Sequence, residues 1–306
     1  MMRRRRSGAA LTMTLLAIIV LDCIVLGSLY LALQEARIGG NHSAVLQLRL
    51  DAESGIRRAL GLWTLEIDSM PAATGQRLTF DTLATGGALV HAERLDDRLF
   101  LLESAAFEQS PRFGRAAARM LVAPPALAVG VDPAPAPLSS SASVHVTSTG
   151  VVISAVPAGC AAAPTPHAVL APQFSVTIAP GASVDAPGGA VGPDPLIHTF
   201  GRLLALAPPH TVASGDTAIT ARHSGVLIVP GNLRVTPGAA VSGLLVASGS
   251  VQIDAGAVVA GAVHAAGLLT VAGSSTWDPC TVKAAISAAG LDRPRPAAGR
   301  AWLPAF

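Results

Sequence analysis

A chain of 306 residues has room for two ordinary domains, or for one repeat domain with an appendage. Aromatic residues are 4% and charged residues 13% of it, and mean hydropathy is +0.52, so the large fillers of a conventional globular core are scarce. The net charge of +2 comes from Arg3 to Arg6; without them 17 basic residues face 19 acidic ones, and no basic face is left for nucleic acid.

Residues 1–8 form a basic leader. Ala9 to Leu33 is an apolar run of 25 residues, enough at about 1.5 Å per residue to cross a bilayer core with some tilt. The arginines ahead of it place the N-terminus in the cytoplasm and the remainder outside. The competing reading, a cleaved secretory signal, has an apolar region of about 7–15 residues, and this run is longer. Asp22 is the one formal charge inside it, a costly placement unless the acid is paired, protonated or buried among protein helices. Beyond the run, Glu35, Arg37 and Asn41 lead into Val45, Leu48, Ala52, Ile56, Ala59 and Trp63, which recur at helical spacing. The periodicity predicts one element over 9–70, kinked or locally melted at Gly39-Gly40 and ended by Pro71. Its lower half needs lipid and its upper half a protein partner.

Arg6-Ser7-Gly8-Ala9-Ala10-Leu11, the apolar run, Glu35 through Asn41, and Gln47 through Gly55 together resemble the N-terminal segment of PilX-type minor pilins. The shared pattern is arginine and glycine before an apolar helix, then E-x-R-x-x-x-N, then Q-A-x-x-x-A-E-x-G. It covers about the first sixty residues. The resemblance implies a component of a type IV pilus or pseudopilus. Such a precursor is cut between Gly8 and Ala9 by a prepilin peptidase, then packs helix to helix with pilin-like subunits and pilus assembly proteins. On that basis Glu35, Arg37, Asn41, Val45, Leu48, Ala52, Glu53, Ile56 and Ala59 are expected at helix-packing contacts. Met13 stands where major pilins carry a glutamate, a departure that disfavours a major pilin more than a minor one.

Residues 76–123 read as a small β-sheet, with strand-like Leu78–Phe80, Ala88–Val90 and Leu99–Leu102; Phe113 to Val122 fits a further strand or a short helix. Residues 124–137 are rich in Pro and Ala and read as a linker. From Val226 to Pro279 one 18-residue unit is written three times without a gap. Leu227, Val229, Leu233, Val235, Ala239 and Val241 open a series of paired positions that continues to Trp277, and only Ser275 in it is not apolar. Side chains two apart share a strand face, and small residues allow corners. The pattern therefore predicts a parallel β-helix of 18-residue coils over 138–279. An antiparallel meander explains the alternation but not the register. Residues 169–186 align with 226–243 as a further coil, 138–155 as a more irregular one, and 187–225 as an insertion. The insertion carries a helix that starts at Asp194-Pro195 and aligns Leu196, Ile197, Phe200, Leu203 and Leu204, set to lie on the side of the stack or cap its end. Asp278-Pro279 starts a second helix, ended by Gly290 and expected to cover the last coil's edge, within a C-terminal cap and tail over 280–306. The glycine-rich coils also resemble bactofilin-like polymer-forming proteins in texture. The fold class is mainly β with a long N-terminal transmembrane and amphipathic α-helix.

Three cysteines are present. Cys23 lies in the apolar run, whereas Cys160 and Cys280 lie in the external part and are expected to form a disulfide tying the two ends of the stack. No metal-ligand spacing and no phosphate-binding loop occurs, so no metal and no cofactor are expected. His210, Ser214, Asp216 and His223 look like a hydrolase set only when written side by side, since no G-x-S-x-G turn accompanies them. The clear coils carry Asp185, Arg234, Asp254, His264 and Asp278 as ionisable groups, too sparse for acid–base work on a polysaccharide. The expectation is a structural protein of the inner membrane, not an enzyme, that touches membrane lipid, other pilin-like subunits and a prepilin peptidase. A membrane-anchored polymer-forming or surface-binding protein is the alternative, and a carbohydrate-active β-helix enzyme a more distant one.

Overall fold

A computed structural model of the chain describes residues 7–107, 115–128, 132, 136–154, 159–160, 167–172, 175–185, 194–297 and 301–303. Helix α1 (Ser7–Gly61) runs for 55 residues without interruption. It passes straight through Gly39-Gly40, against the expected melt. A Cβ at either glycine would meet nothing within 4 Å, and two glycines inside a helix cost only about 1 kcal/mol each. The helix stops at Gly61, well before Pro71, because Thr64 caps the short α2 (Leu65–Asp68) by accepting from the Ile67 amide.

Four antiparallel strands follow: β1 (Arg77–Thr79), β2 (Leu89–Asp96), β3 (Leu99–Phe107) and β4 (Arg115–Ala123). The stretch over 113–122 that read as strand or helix is therefore strand. Alternation along β2 to β4 turns Val90, Ala92, Phe100, Leu102, Met120 and Val122 inward, where they pack against Leu48, Ala52, Ile56 and Ala59 of α1. Closest approach is at Gly55, where a Cβ would lie 2.6 Å from that of Ala88. Trp63 closes the end of this core edge-on to Phe100, with ring centroids 4.9 Å apart.

The remaining strands are β5 (Leu138–Ser140), β6 (Val144–Val146), β7 (Val151–Ile153), β8 (Val169–Leu170), β9 (Val176–Ile178), β10 (Ser183–Val184), β11 (Thr217–Ile219), β12 (His223–Val229), β13 (Leu233–Val235), β14 (Ala240–Ala247), β15 (Val251–Ile253), β16 (Val258–Ala265), β17 (Leu269–Val271) and β18 (Ser274–Thr276). They form two parallel sheets, one curled. From β12 to β17 the strands of the tandem units pair 18 residues apart: Leu233 with Val251, Val251 with Leu269, Leu227 with Leu245, Leu245 with Val263. The register expected at the last pair fails, since Val259 lies opposite Ser275 rather than Trp277. The expected paired positions from Val229 to Val271 all enter one buried apolar cluster, with Leu227 partly buried beside it.

The curl has a local cause. Gly225, Gly243 and Gly261 fall on neighbouring strands in register, with φ of 119°, 133° and 141°. The strand bends there, so that Leu245 and Ala247 continue to face inward while Leu244 and Val246 face the helices outside. The next rung is two residues short: Val259 lies opposite Ser275, so the place after Gly261 in this column falls to Trp277 and no glycine follows. The bend is not repeated, and the chain leaves the stack into the helix that starts at Pro279.

What replaces it overturns the expected order of coils. The first half of β16 pairs with β18, and its second half pairs with β5, Val263 opposite Leu138 and His264 opposite Ser139. Then β6 lies on β17 and β7 on β18. Strands β8, β9 and β10 follow on β5, β6 and β7. Read along the stack, the order is 217–276 followed by 138–184. The segment from 138 thus takes up the path where the later segment abandons it. The 169–186 coil is not the neighbour of the tandem units but the far end of the stack.

Both expected helices lie on the outer wall, the first of the two places open to the insertion helix and a departure for the 279–290 helix, which does not cover the last coil's edge. Helix α5 (Pro279–Ala289) starts with Asp278 accepting from Thr281 N and ends at left-handed Gly290. The insertion helix is broken at Thr199 into α3 (Pro195–His198) and α4 (Phe200–Leu206). Leu196, Leu203, Leu206, Val282 and Ile286 cover Ile228, Leu244 and Val246, whereas Leu204 is exposed. Ala126 and Leu127, from the stretch that read as a linker, are buried in the same cluster. Finally β19 (Arg295–Pro296) and β20 (Trp302–Leu303) both pair with β4, so the C-terminal tail completes the small sheet; Phe306 lies outside the described residues. Asp68 and Arg202 form an ion pair of 2.6 Å between the two parts.

The glycine column is testable. A Cβ on Gly243 would sit 2.0 Å from the Gly225 carbonyl oxygen, in a backbone region that side chains avoid. Gly243→Ala is expected to destabilise the head by about 2–5 kcal/mol in chemical unfolding, while Gly39→Ala leaves the midpoint unchanged or raises it.

Candidate functional site

The first candidate region is the bare part of α1. An 18-residue window near its start has mean hydropathy 2.5 and none of it is buried, so the helix is long and apolar enough to cross a membrane. Leu11, Leu15, Ile18, Leu29 and Leu33 all stand more than half exposed. Gly8 and Ala9 lie in the first turns of this helix. Hydroxyls in the apolar run satisfy themselves, Thr14 donating to Leu11 O and Ser28 to Val25 O, while Gln34 donates to the Tyr30 hydroxyl. Asp22 is exposed and forms no such bond. A carboxylate at this depth of a bilayer costs at least about 2.5 kcal/mol.

The helix-packing set divides in two. Glu35, Arg37 and Asn41 are exposed, and Val45 is half-exposed. Leu48, Ala52, Ile56 and Ala59 are already covered by the chain's own β2 to β4. The expectation that these four meet neighbouring subunits is therefore corrected: the apolar stripe is satisfied internally. Glu53 pairs with Arg49 at 3.2 Å and Asp51 accepts from Gln47. The i,i+4 partners of these acids thus lie before them on the helix.

The second region is the handover between β16 and β5. Cys160 and Cys280 form a disulfide with Cα atoms 5.8 Å apart. The pairing was expected, but its role differs. Cys160 follows β7 and Cys280 opens α5 just after β18, and those two strands are neighbours. The bridge therefore fastens adjacent rungs where the two segments meet, not the ends of the stack.

Nearby, Asp194 caps α3, its Oδ1 accepting from Leu196 N at 2.9 Å and Ile197 N at 3.3 Å. Its Oδ2 lies 2.7 Å from His264 Nδ1, and both side chains are at most 1% exposed. Burial, the largest single influence, pushes the Asp194 carboxyl up. The charge and hydrogen bond of His264, with hydrogen bonds from Ser139 and the Ile197 amide, outweigh it and bring the carboxyl from 3.8 to about 2. The acid is thus a carboxylate, and His264 Nδ1 is the donor. Three distant segments meet in this cluster: the return connection through Asp194, the tandem coils through His264 and the incoming strand through Ser139. Full burial denies it to any substrate.

Sequence reasoning counted His264 only as a sparse charge. The available signal was its column, since Ile228 and Val246 hold the equivalent positions in the preceding units.

Elsewhere the polar groups hold one another. A shallow groove of about 500 Å³ crosses the outer face of β11, β13, β15 and β17. Asp216 accepts from Asn232 N and Nδ2, Asn232 Oδ1 accepts from Ser250 N, and Arg234 pairs with Asp254 at 2.8 Å. Of the hydrolase-like set, Asp216 is committed to Asn232, whose hydrogen bonds lower its pKa. His210 and Ser214 are exposed, and His223 sits half-buried on β12 with its pKa lowered by burial. Among the described residues no group of three or more His, Cys, Asp or Glu is placed to hold a metal ion.

Comparison of the chain with protein-family models, with curated proteins and with solved structures finds no match.

Asp194→Ala leaves a buried imidazole and hydroxyl without their acceptor and is expected to cost about 3–5 kcal/mol in urea unfolding; Asp216→Ala, at an exposed site, barely shifts the midpoint. The folded carboxyl titrates below its ordinary value. Its contribution is therefore fully present above about pH 4 and is lost as pH falls toward 2, a loss that Asp194→Ala removes from the acid-unfolding curve. Exchanging Cys160 and Cys280 for Ser, which opens a bridge spanning 120 residues, lowers stability by up to about 5 kcal/mol in the chain-entropy account.

Proposed function

We propose that the protein is a structural, single-span component of the cytoplasmic membrane that carries a β-helix head on the outer side, in the manner of PilX-type minor pilins. The supporting observation is the division of labour along α1. Its N-terminal half is bare and apolar, and its C-terminal half is clamped by a sheet of the same chain. A rod of that kind joins a lipid-embedded segment rigidly to a folded head, which is what incorporation into a pilus or pseudopilus requires. In this reading the two parallel sheets are walls of a β-helix of 18-residue coils with permuted order.

The buried apolar stripe narrows where neighbours touch. With Leu48, Ala52, Ile56 and Ala59 occupied, contacts with other pilin-like subunits fall on Glu35, Arg37, Asn41, Val45 and the apolar run below them. The head contributes shape. Its polar residues are tied to one another across rungs, which suits a display surface in filament assembly or at a tip and gives no acid–base pair for catalysis.

Two measurements test this reading. Protein from cells that hold a prepilin peptidase is expected to start at Ala9, and Gly8→Asp is expected to leave Met1 in place. An intact Met1 in the wild-type chain would set the pilin part aside and favour a membrane-anchored polymer-forming or surface-binding protein. Release of the chain from membranes by alkaline carbonate would reject the anchor itself.

A further inference from the structure

The inference concerns Asp22 and rests on the membrane-spanning reading of α1. The apolar run covers Ala9 to Leu33, so Asp22 lies one residue from its centre. At about 1.5 Å per residue it is roughly 16–20 Å from either end of the run. A lysine or arginine so placed extends its long stem toward the headgroups. An aspartate carries its carboxylate on a single methylene and has no such reach. The charge must be met where it is or be removed by taking up a proton.

Nothing described in this chain meets it. The hydroxyls of Thr14 and Ser28 are turned to the helix's own carbonyls, and Tyr30 and Gln34 hold each other. The head packs on α1 only from Leu48 onward. Around Asp22 the helix offers Leu15, Ile18, Val25, Leu26 and Leu29 at three, four and seven residues' distance, all more than half exposed. A second copy of the chain does not complete the site, because the run from Ala9 to Leu33 contains no Lys, Arg or His. Two copies would set acid against acid.

We propose that Asp22 is a docking point at the middle of the membrane for the spanning helix of a different protein that carries a lysine or arginine at the same depth. The flanking aliphatic side chains supply packing on that face, and the ion pair fixes partner and depth, as a charge in hydrocarbon does. The partner is thus a membrane protein met before or during assembly, not lipid and not another subunit of this kind.

Cys23, free and exposed beside Asp22, gives a native reporter. The full chain is reconstituted in phosphatidylcholine vesicles with a leucine–alanine spanning peptide that has a central lysine and a cysteine next to it. Heterodimer formed on mild oxidation is compared with that from the same peptide bearing leucine in place of lysine. The expected yield is at least tenfold higher with lysine. It falls to the leucine level in Asp22→Asn, which keeps size and loses charge, and is retained in Asp22→Glu. Equal yields for the two peptides, or Cys23–Cys23 dimers of the chain exceeding the heterodimer, overturn the proposal while leaving the anchor standing. A chain that washes off the vesicles at alkaline pH overturns the anchor and this inference together.

Discussion

The head depends on one backbone junction. Strand β16 runs through both halves of a coil, and its two halves are served by different partners, β18 and β5. Ser140 on the incoming strand donates to the Gly267 carbonyl across a separation of 127 residues. If those few bonds fail, the two rungs β5–β7 and β8–β10 lose their neighbour and the apolar columns of Val144, Val146, Val152 and Val169 meet water. The junction is accordingly reinforced by unlike means within a short distance. A disulfide ties the corner, a buried carboxylate–imidazole pair fixes the wall, and helices α3 and α5 cover both. A carboxylate buried against an imidazole is a poor source of net stability but a strict specifier of arrangement, because any other arrangement leaves a buried polar group without its partner.

How far the fold is legible in the sequence follows from the range of the interactions involved. The 18-residue register and its inward-facing positions read directly, because like side chains must stack at one depth in successive parallel strands. Both Asp-Pro helix starts and the Cys160–Cys280 pair read for equally local or compositional reasons. The order of rungs did not. A coil aligned with its repeat is compatible with every position in the stack, and what selects one is the shortened rung at β18, where Val259 meets Ser275 and the column of Gly225, Gly243 and Gly261 is not continued, a feature visible only once strand register is known. The return of Arg295 and Trp302 to β4 had no sequence signal beyond two short strand-like dipeptides.

The stripe on α1 shows a different limit. Helical spacing established that Leu48, Ala52, Ile56 and Ala59 share a face, and small residues there permit close approach. Periodicity carries no information about whether that face meets a neighbour or the chain's own sheet. Here Gly55 lets Ala88 come within a distance that leaves no room for another occupant. Internal packing thereby turns a helix with two apolar surfaces into one whose remaining bare surface is its N-terminal half.

The permuted stack also sets a schedule for biogenesis. Residues 138–185 emerge first, yet the surface they stack on is not complete until β18 has been made. At ordinary synthesis rates of about 5–20 residues per second that is a wait on the order of ten seconds. During it residues 138–185 show apolar columns and open strand edges to solvent. A disulfide formed early between Cys160 and any wrong partner would trap that state. A stack built in chain order would impose no such wait.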